Sequence, residues 1–224
     1  MARLRAAALP GRLTRPSRAE LDARLHQYLD LLLARNTSMN LTAVRDASAA
    51  WDKLILGSLA VLDAHRFTGS ERVADVGSGG GLPGIPLKLA VPGLSLCLVE
   101  SDQRKAEFLR DTVIALDLTD VEVQAKRAEE IGRDERHREA YDVVVTRAAA
   151  KAPVAAEYCL PLVRPGGLML ALAQYKDWDL ARRAIGQLGG RLDGERSGVI
   201  VVSKLRHTPE QFPRRVGVPG KRPL

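Results

Sequence analysis

The stretch that decides the fold is Val73-Ala-Asp-Val-Gly-Ser-Gly-Gly-Gly-Leu-Pro-Gly-Ile-Pro86, in which an apolar run passes directly into a glycine-rich turn. Val73–Val76 predicts a short buried strand, and Leu82–Ala90 predicts a helix with Pro83 in its first turn. Glycines in such a turn tolerate positive φ and leave no side chain between the backbone and a ligand. The stretch therefore predicts the ligand-contacting first turn of an open α/β sheet.

Short apolar runs separated by helical spacings continue along the chain, a pattern typical of βαβ units. The predicted strands are Val73–Val76, Leu94–Val99, Val121–Gln124, Asp142–Thr146, Leu168–Leu172 and Gly198–Lys204, the last antiparallel at an edge. The predicted core helices are Leu82–Ala90, Lys105–Leu116, Pro153–Leu162 and Leu180–Leu188. We expect a doubly wound, mostly parallel sheet.

Helical spacing also precedes the sheet. Residues 17–35 predict an amphipathic helix whose capping box is formed by Ser17 and Glu20, residues 36–40 break it, and helical spacing resumes over 49–64. The predicted organisation is a basic, disordered arm over 1–16, a helical cap over 17–66, the sheet core over 67–205 and a basic tail over 206–224. Four prolines argue against regular structure in the tail.

Composition excludes several classes of protein. No apolar run approaches the roughly 18 to 20 residues of a membrane span, and the arginine-rich start lacks a secretory signal, so we expect a cytoplasmic protein. Cys97 and Cys159 have neither metal-ligand spacing nor a disulfide framework. We interpret both as packed thiols and expect no metal.

The net charge of +7 is concentrated at the two ends of the chain. Residues 1–18 carry five arginines and no acidic residue, and residues 204–224 carry six cationic residues against Glu210 alone, which leaves the middle near −3. Such ends suit a polyanionic partner, because Lys and Arg contacts to phosphate supply most non-specific affinity for nucleic acid. Solubility is the alternative explanation.

The first turn also indicates the ligand. Asp75 ends the strand, Gly77, Gly79 and Gly81 form the turn, and Glu100 ends the next strand about twenty residues later. We expect all five residues to contact the ligand. A carboxylate there can accept hydrogen bonds from both ribose hydroxyls of either a dinucleotide or S-adenosylmethionine. The Asp-x-Gly-x-Gly start favours S-adenosylmethionine, and thus a methyltransferase over a nicotinamide dehydrogenase.

Two later strand ends carry further candidates. Ala128 and Glu129 follow the third strand and could bracket an adenine ring, although a solvated loop is equally consistent with the pattern. Arg147 ends the fourth strand at the same edge as the glycines. Because a desolvated guanidinium needs a partner, we favour a functional role for Arg147 over a structural ion pair.

Several motifs together resemble one known family. The run from Asp75 to Pro86 resembles the signature of the RsmG family of small-subunit ribosomal RNA guanine-N7 methyltransferases, also called GidB, which have a Rossmann-like class I fold. Asn40-Leu-Thr42, Thr146-Arg-Ala148 and the tail from Phe212 to Leu224 agree with the same family. The resemblance covers roughly residues 20–224.

The resemblance implies methyl transfer from S-adenosylmethionine to N7 of a guanine in 16S ribosomal RNA, on a small ribosomal subunit. We expect the protein to be a monomer. The cofactor contacts that the resemblance implies are Gly77, Leu82, Glu100 with Ser101 and Asp102, Ala128 with Glu129, and Arg147. Three positions depart from the family pattern: Leu54 replaces a His, Gly57 replaces an Asp or Asn, and Ala173 replaces a Lys.

These departures remove polar groups from the side on which the substrate is expected, and they leave alternatives open. One is a methyltransferase acting on a small molecule. Another is a protein that binds S-adenosylmethionine or RNA without catalysis.

Overall fold

The computed structural model describes residues 15–147 and 150–224, which form one seven-stranded sheet with helices on both faces. The strands are β1 Arg72–Val76, β2 Ser95–Val99, β3 Val121–Gln124, β4 Tyr141–Arg147, β5 Val163–Leu172, β6 Gly190–Arg196 and β7 Val199–Lys204. The helices are α1 Arg18–Met39, α2 Ala47–Ala50, α3 Gly57–Leu59, α4 Val61–Ala64, α5 Gly84–Ala90, α6 Gln103–Ala115, α7 Ala128–Ile131, α8 Ala152–Cys159, α9 Tyr175–Asp179, α10 Arg182–Gln187 and α11 Val218–Lys221, with a π-helix, Trp51–Leu56, between α2 and α3.

The strand order β3-β2-β1-β4-β5-β7-β6 confirms the doubly wound sheet. All pairings are parallel except those of β7, which is antiparallel to both neighbours. β1 lies between β2 and β4, and Val76 at its end is in register with Val99 on one side and Thr146 on the other. The strand order reverses at β1, and open α/β sheets bind ligands at such a switch point.

Both faces of the sheet are covered, as the near-continuous apolar strands require. Side chains of β4 alternate, with Val143 and Val145 packing towards α1, the π-helix, α5 and α6, and Val144 packing towards α8 and α10. Cys97 on β2 and Cys159 on α8 are both buried in the layer that Val144 faces, between the sheet and helices α8 and α10. The sheet is thereby held rigidly beneath the loops at the carboxyl ends of its strands.

The N-terminal cap begins as predicted, since both hydrogen bonds of the capping box between Ser17 and Glu20 are present, at 2.8 and 3.3 Å. The expected break at Asn36 is wrong: α1 continues to Met39 and ends at Asn40, which adopts the left-handed conformation. Asn36 stays helical because its buried side chain is occupied elsewhere, accepting a hydrogen bond from the Thr42 amide at 2.9 Å. Within residues 15–147 and 150–224, no helix has the length and apolarity of a membrane span.

Two expectations at the C-terminal end need correction. β7 is antiparallel as predicted but is not an edge strand, because β6 pairs outside it through a two-residue turn, Ser197-Gly198, with φ of 51° and 76°. Such turns match the twist of hairpin strands. The tail also contains regular structure, the single-turn helix α11, and its Pro219 lies in the first turn, where proline is tolerated. The predicted N-terminal arm lies almost entirely outside the described residues.

Candidate functional site

The turn after β1 adopts a conformation that requires its glycines. Gly77, Gly79 and Gly81 have φ of 74°, 55° and 96°. A Cβ atom on Gly81 would lie 2.4 Å from Cδ1 of Ile85, so there is also no space for a side chain at that position. The amide of Gly77 donates to the Val99 carbonyl at 2.9 Å, which ties the turn to the end of β2.

Asp75 supports this turn from behind. Its side chain is fully buried, and Oδ2 accepts a hydrogen bond from the Gly84 amide at 2.9 Å. Its Oδ1 has no hydrogen-bond partner among the residues that the structure describes. Burial raises the pKa of Asp75 to about 7. The structure thus places Asp75 beneath the turn rather than on the surface that faces a ligand.

Glu100, at the end of β2, has a carboxylate that the backbone holds in one orientation. Oε2 accepts a hydrogen bond from the Gly79 amide at 2.9 Å, and Oε1 accepts one from the Asp102 amide at 2.8 Å. Each carboxylate oxygen has two acceptor positions, so both retain capacity for a further donor. Glu100 can therefore accept hydrogen bonds from a pair of hydroxyl groups without rearranging.

A cavity of about 480 Å³ opens at the carboxyl ends of β1 and β2, where the sheet topology places a ligand. The predicted site residues that line it are Gly77, Glu100, Ser101, Ala128 and Glu129. Those outside the lining are Asp75, Gly79, Gly81, Leu82, Asp102 and Arg147. Gly79 and Asp102 contribute indirectly, through their amide contacts with Glu100.

The rest of the lining was not predicted. Val76, Val99 and Val154 make it apolar in part, and Tyr158 adds an aromatic wall. The other lining residues are Lys126, Arg127, Ala150, Lys151, Gly220, Lys221 and Pro223. Lys126 and Arg127 directly precede the predicted Ala128, so their adjacency to a strand end could have found them. Gly220, Lys221 and Pro223 carry no such signal in the sequence.

Arg147 lies at the predicted edge but contacts the N-terminal cap. Its Nη2 donates to the Lys53 carbonyl at 2.8 Å, and its Nη1 lies 3.4 Å from the Leu54 carbonyl and 3.5 Å from Oγ of Ser58. Burial lowers the pKa of Arg147. In the described part of the chain it forms no ion pair, so its partners are the carbonyls of Lys53 and Leu54 and the hydroxyl of Ser58. Leu54 and Gly57, two of the departures from the family pattern, lie in or directly after that helix.

A second group of polar side chains lies outside the cavity lining. The possible ligand atoms of Cys97, Glu122 and His137 are within 4.8 Å of one another. Burial raises the pKa of the Cys97 thiol to about 11, and Nδ1 of His137 is hydrogen-bonded to the Tyr141 hydroxyl at 2.6 Å. The thiol is therefore protonated near neutral pH, and His137 is hydrogen-bonded within the group, as in a packed polar cluster.

Residues 21–185 match the model of the GidB family, described as rRNA small subunit methyltransferase G. The chain belongs to this family. Relatives named ribosomal RNA small subunit methyltransferase G include one from Pelotomaculum thermopropionicum, 43% identical over 211 residues with 88% of each chain covered. Another, from Chloroflexus aggregans, is 41% identical over 214 residues with 90% of each chain covered. The expected family is thereby confirmed over nearly the full chain.

Solved structures with the same fold are much more distant in sequence from this GidB chain. TrmN from Thermus thermophilus is 20% identical, with a TM-score of 0.50 over 67% of this chain and 48% of its own. MtNAS in complex with MTA and tNA is 16% identical, with a TM-score of 0.54 over 83% of this chain and 76% of its own. These similarities concern the fold.

Proposed function

We propose that this chain transfers a methyl group from S-adenosylmethionine to N7 of a guanine in the 16S ribosomal RNA of the small subunit. The observation that carries the proposal is the cavity at the ends of β1 and β2, with its immobilised Glu100 carboxylate, in a chain of the methyltransferase G family. We further propose that the protein acts as a monomer in the cytoplasm, where its ribosomal substrate is found.

The residues of the cavity fit the methyl donor. The oxygens of Glu100 would accept hydrogen bonds from the ribose hydroxyls, since the amides of Gly79 and Asp102 already fix their direction. Ser101 with Ala128 and Glu129 would surround the adenine, and the side chains of Val99 and Val154 supply apolar surface. The backbone at Gly77 would face the amino-acid part of the donor. Most of the contacts are therefore preformed, which lowers the entropic cost of binding.

The chemistry needs no general base. Guanine N7 carries a lone pair and no proton, so the protein has to align it with the methyl group and exclude water. When bound, S-adenosylmethionine supplies an electrophilic methyl group, whose bond to sulfur breaks as the bond to N7 forms. Arg147 would position the part of the protein that contacts the substrate, because it holds the carbonyls of the π-helix beside the sheet edge.

Cationic residues suit an RNA substrate. Lys126, Arg127, Lys151 and Lys221 line the cavity. The two ends of the chain carry most of the net positive charge. Phosphates of a structured RNA would contact these groups, and such contacts orient a nucleic acid without reading its sequence.

The test is transfer of labelled methyl from S-adenosylmethionine to small subunits lacking guanine-N7 methylation, with N7-methylguanosine quantified by mass spectrometry of the digested RNA. Incorporation as N7-methylguanosine is the expected result. A Gly77→Val variant should bind no donor and transfer nothing, because a β-branched residue is strained at a φ of 74°. Donor binding by the wild-type chain without incorporation would overturn the proposal despite the family membership.

A further inference from the structure

The C-terminal segment, residues 214–224, extends back to the cavity. Gly220, Lys221 and Pro223 line it together with Gly77 and Glu100, which lie more than a hundred residues earlier in the chain. The sequence predicted an irregular basic tail here, with a stretch from Phe212 to Leu224 that resembles the family. Its actual course brings it next to α8, and Gly217 is hydrogen-bonded to Glu129 of α7; both helices contribute residues to the lining of the cavity.

Buried polar contacts anchor this segment at its start. Glu157 on α8 is fully buried, and its Oε1 accepts hydrogen bonds from the backbone amide of Arg214 at 2.8 Å and from Nε of Arg214 at 2.9 Å. The residues just before the segment are also held, because Arg138 donates hydrogen bonds to the carbonyls of Phe212 at 2.7 Å and Thr208 at 2.8 Å. Breaking a buried carboxylate–guanidinium pair leaves an uncompensated charge, so the segment is held firmly in place.

The next turn fixes a residue of the proposed site. Glu129 is 3% exposed, and its Oε1 accepts a hydrogen bond from the Gly217 amide at 2.9 Å. Gly217 has a φ of 78°, a conformation that glycine adopts without strain and that aims this amide at the carboxylate. The orientation of Glu129 in the cavity therefore depends on a turn that lies 88 residues further along the chain.

We propose that residues 217–224 are an integral part of the donor-binding site. Gly217 orients Glu129, while Gly220, Lys221 and Pro223 form the wall at the end of the cavity that would hold the adenine. This inference rests on the proposed function for the identity of the donor. It assigns the end of the chain to cofactor binding, in addition to any contact that its exposed arginines make with RNA.

Truncation tests the wall directly. A chain ending at Val216 keeps the Arg214–Glu157 pair and the Arg138 contacts, so the core should stay folded, as checked by circular dichroism and thermal unfolding. Calorimetric titration with S-adenosylmethionine and with S-adenosylhomocysteine should give a Kd at least tenfold above that of the full chain. A wild-type Kd in the folded, truncated chain would overturn the inference.

A matched pair of substitutions tests the turn. Gly217 and Gly198 have nearly equal φ, 78° and 76°, and a Cβ at either position would meet nothing within 4 Å. Valine is strained in this conformation, so Gly217→Val should displace the amide from Glu129 and raise the donor Kd severalfold. Gly198→Val introduces the same strain in the β6–β7 turn and should leave the donor Kd unchanged. Equal Kd values for the two variants would contradict the role of Gly217.

Calorimetry also separates this inference from the proposed function. Both nucleosides bind without turnover, so the measurement does not depend on RNA or on methyl transfer. Wild-type affinity in the truncated chain overturns only the role of the C-terminal segment. Failure of the full-length chain to bind either nucleoside would overturn the proposed function, and the inference with it.

Discussion

Asp75 shows how a single residue can serve the turn while opposing stability. Its buried carboxyl orients the Gly84 amide, yet burial raises its pKa from 3.8 to about 7. Because the folded-state pKa lies above the unfolded value, this group favours folding fully below about pH 4, and the contribution is lost as the pH rises through 7. At higher pH the ionised carboxylate destabilises the fold.

An Asp75→Asn variant should lack this pH dependence. Between pH 4 and pH 8 its free energy of unfolding should improve relative to the wild type by up to about 4 kcal/mol, since each pKa unit corresponds to about 1.4 kcal/mol. Urea unfolding of both proteins at several pH values measures the difference. Parallel curves would show that Asp75 is ionised in the folded protein throughout this range.

The two cysteines should be chemically inert in the folded protein. Burial raises the pKa of Cys97 to about 11 and also raises that of Cys159. Because the thiolate is the reactive form, iodoacetamide at pH 8 should modify less than about a tenth of either thiol in an hour. Mass spectrometry of the native protein, with guanidinium-unfolded protein as the reactive control, checks this. Rapid native alkylation of either residue would contradict its interpretation as a packed thiol.

The sequence predicts the residues of the site whose positions depend on their immediate neighbours in the chain. Gly77 and Glu100, which line the cavity, lie at the ends of predicted strands, so their positions follow from sequence neighbours alone. Asp75 was predicted as a ligand contact, whereas the structure places it behind the turn, because a strand-end pattern does not say which way a side chain points. The hydrogen bond from Gly217 to Glu129 could not be predicted, since the two residues lie 88 positions apart.

At the scale of elements, the π-helix is the feature on which Arg147 acts. Short π-helical segments occur frequently at functional sites. Arg147 donates to two of these carbonyls, those of Lys53 and Leu54. Its planar guanidinium can reach both at once, whereas a lysine ammonium acts as a point charge.

Arg147→Ala should therefore lower the rate of methyl transfer about tenfold or more while changing the donor Kd little. Arg147→Lys should recover only part of the rate, because one ammonium group cannot replace the two guanidinium nitrogens that donate to the carbonyls of Lys53 and Leu54. Single-turnover kinetics on small subunits and calorimetry with S-adenosylhomocysteine measure the two quantities. An unchanged rate in both variants would make Arg147 a purely structural residue.

Elements with strong apolar patterns were predicted well, and those set by context were missed. β3 was predicted to the residue, whereas β6 was not found, because Asp193, Gly194 and Glu195 break any apolar alternation and the strand forms by pairing with β7. Likewise, α1 continues through Asn36, whose side chain accepts a hydrogen bond from the Thr42 amide. In each case the deciding contact comes from outside the segment itself.

At the scale of the whole molecule, the C-terminal segment combines positive charge with part of the cavity lining. The segment that contributes Gly220, Lys221 and Pro223 to the cavity also carries Arg215 and Arg222, which are exposed. One short segment would thus contact the donor on its inner side and RNA phosphates on its outer side. The two roles can be separated, because neither arginine belongs to the lining of the cavity.

A double substitution, Arg215→Ala with Arg222→Ala, should weaken binding to small subunits and reduce its salt dependence. Each lost phosphate contact lowers the slope of log affinity against log salt by about one, so the slope should fall by about two. Filter binding between about 50 and 200 mM salt gives the slope, and donor calorimetry is the control, since the wall formed by Gly220, Lys221 and Pro223 is untouched. If the slope stays at its wild-type value, Arg215 and Arg222 make no phosphate contacts, and their charge serves solubility.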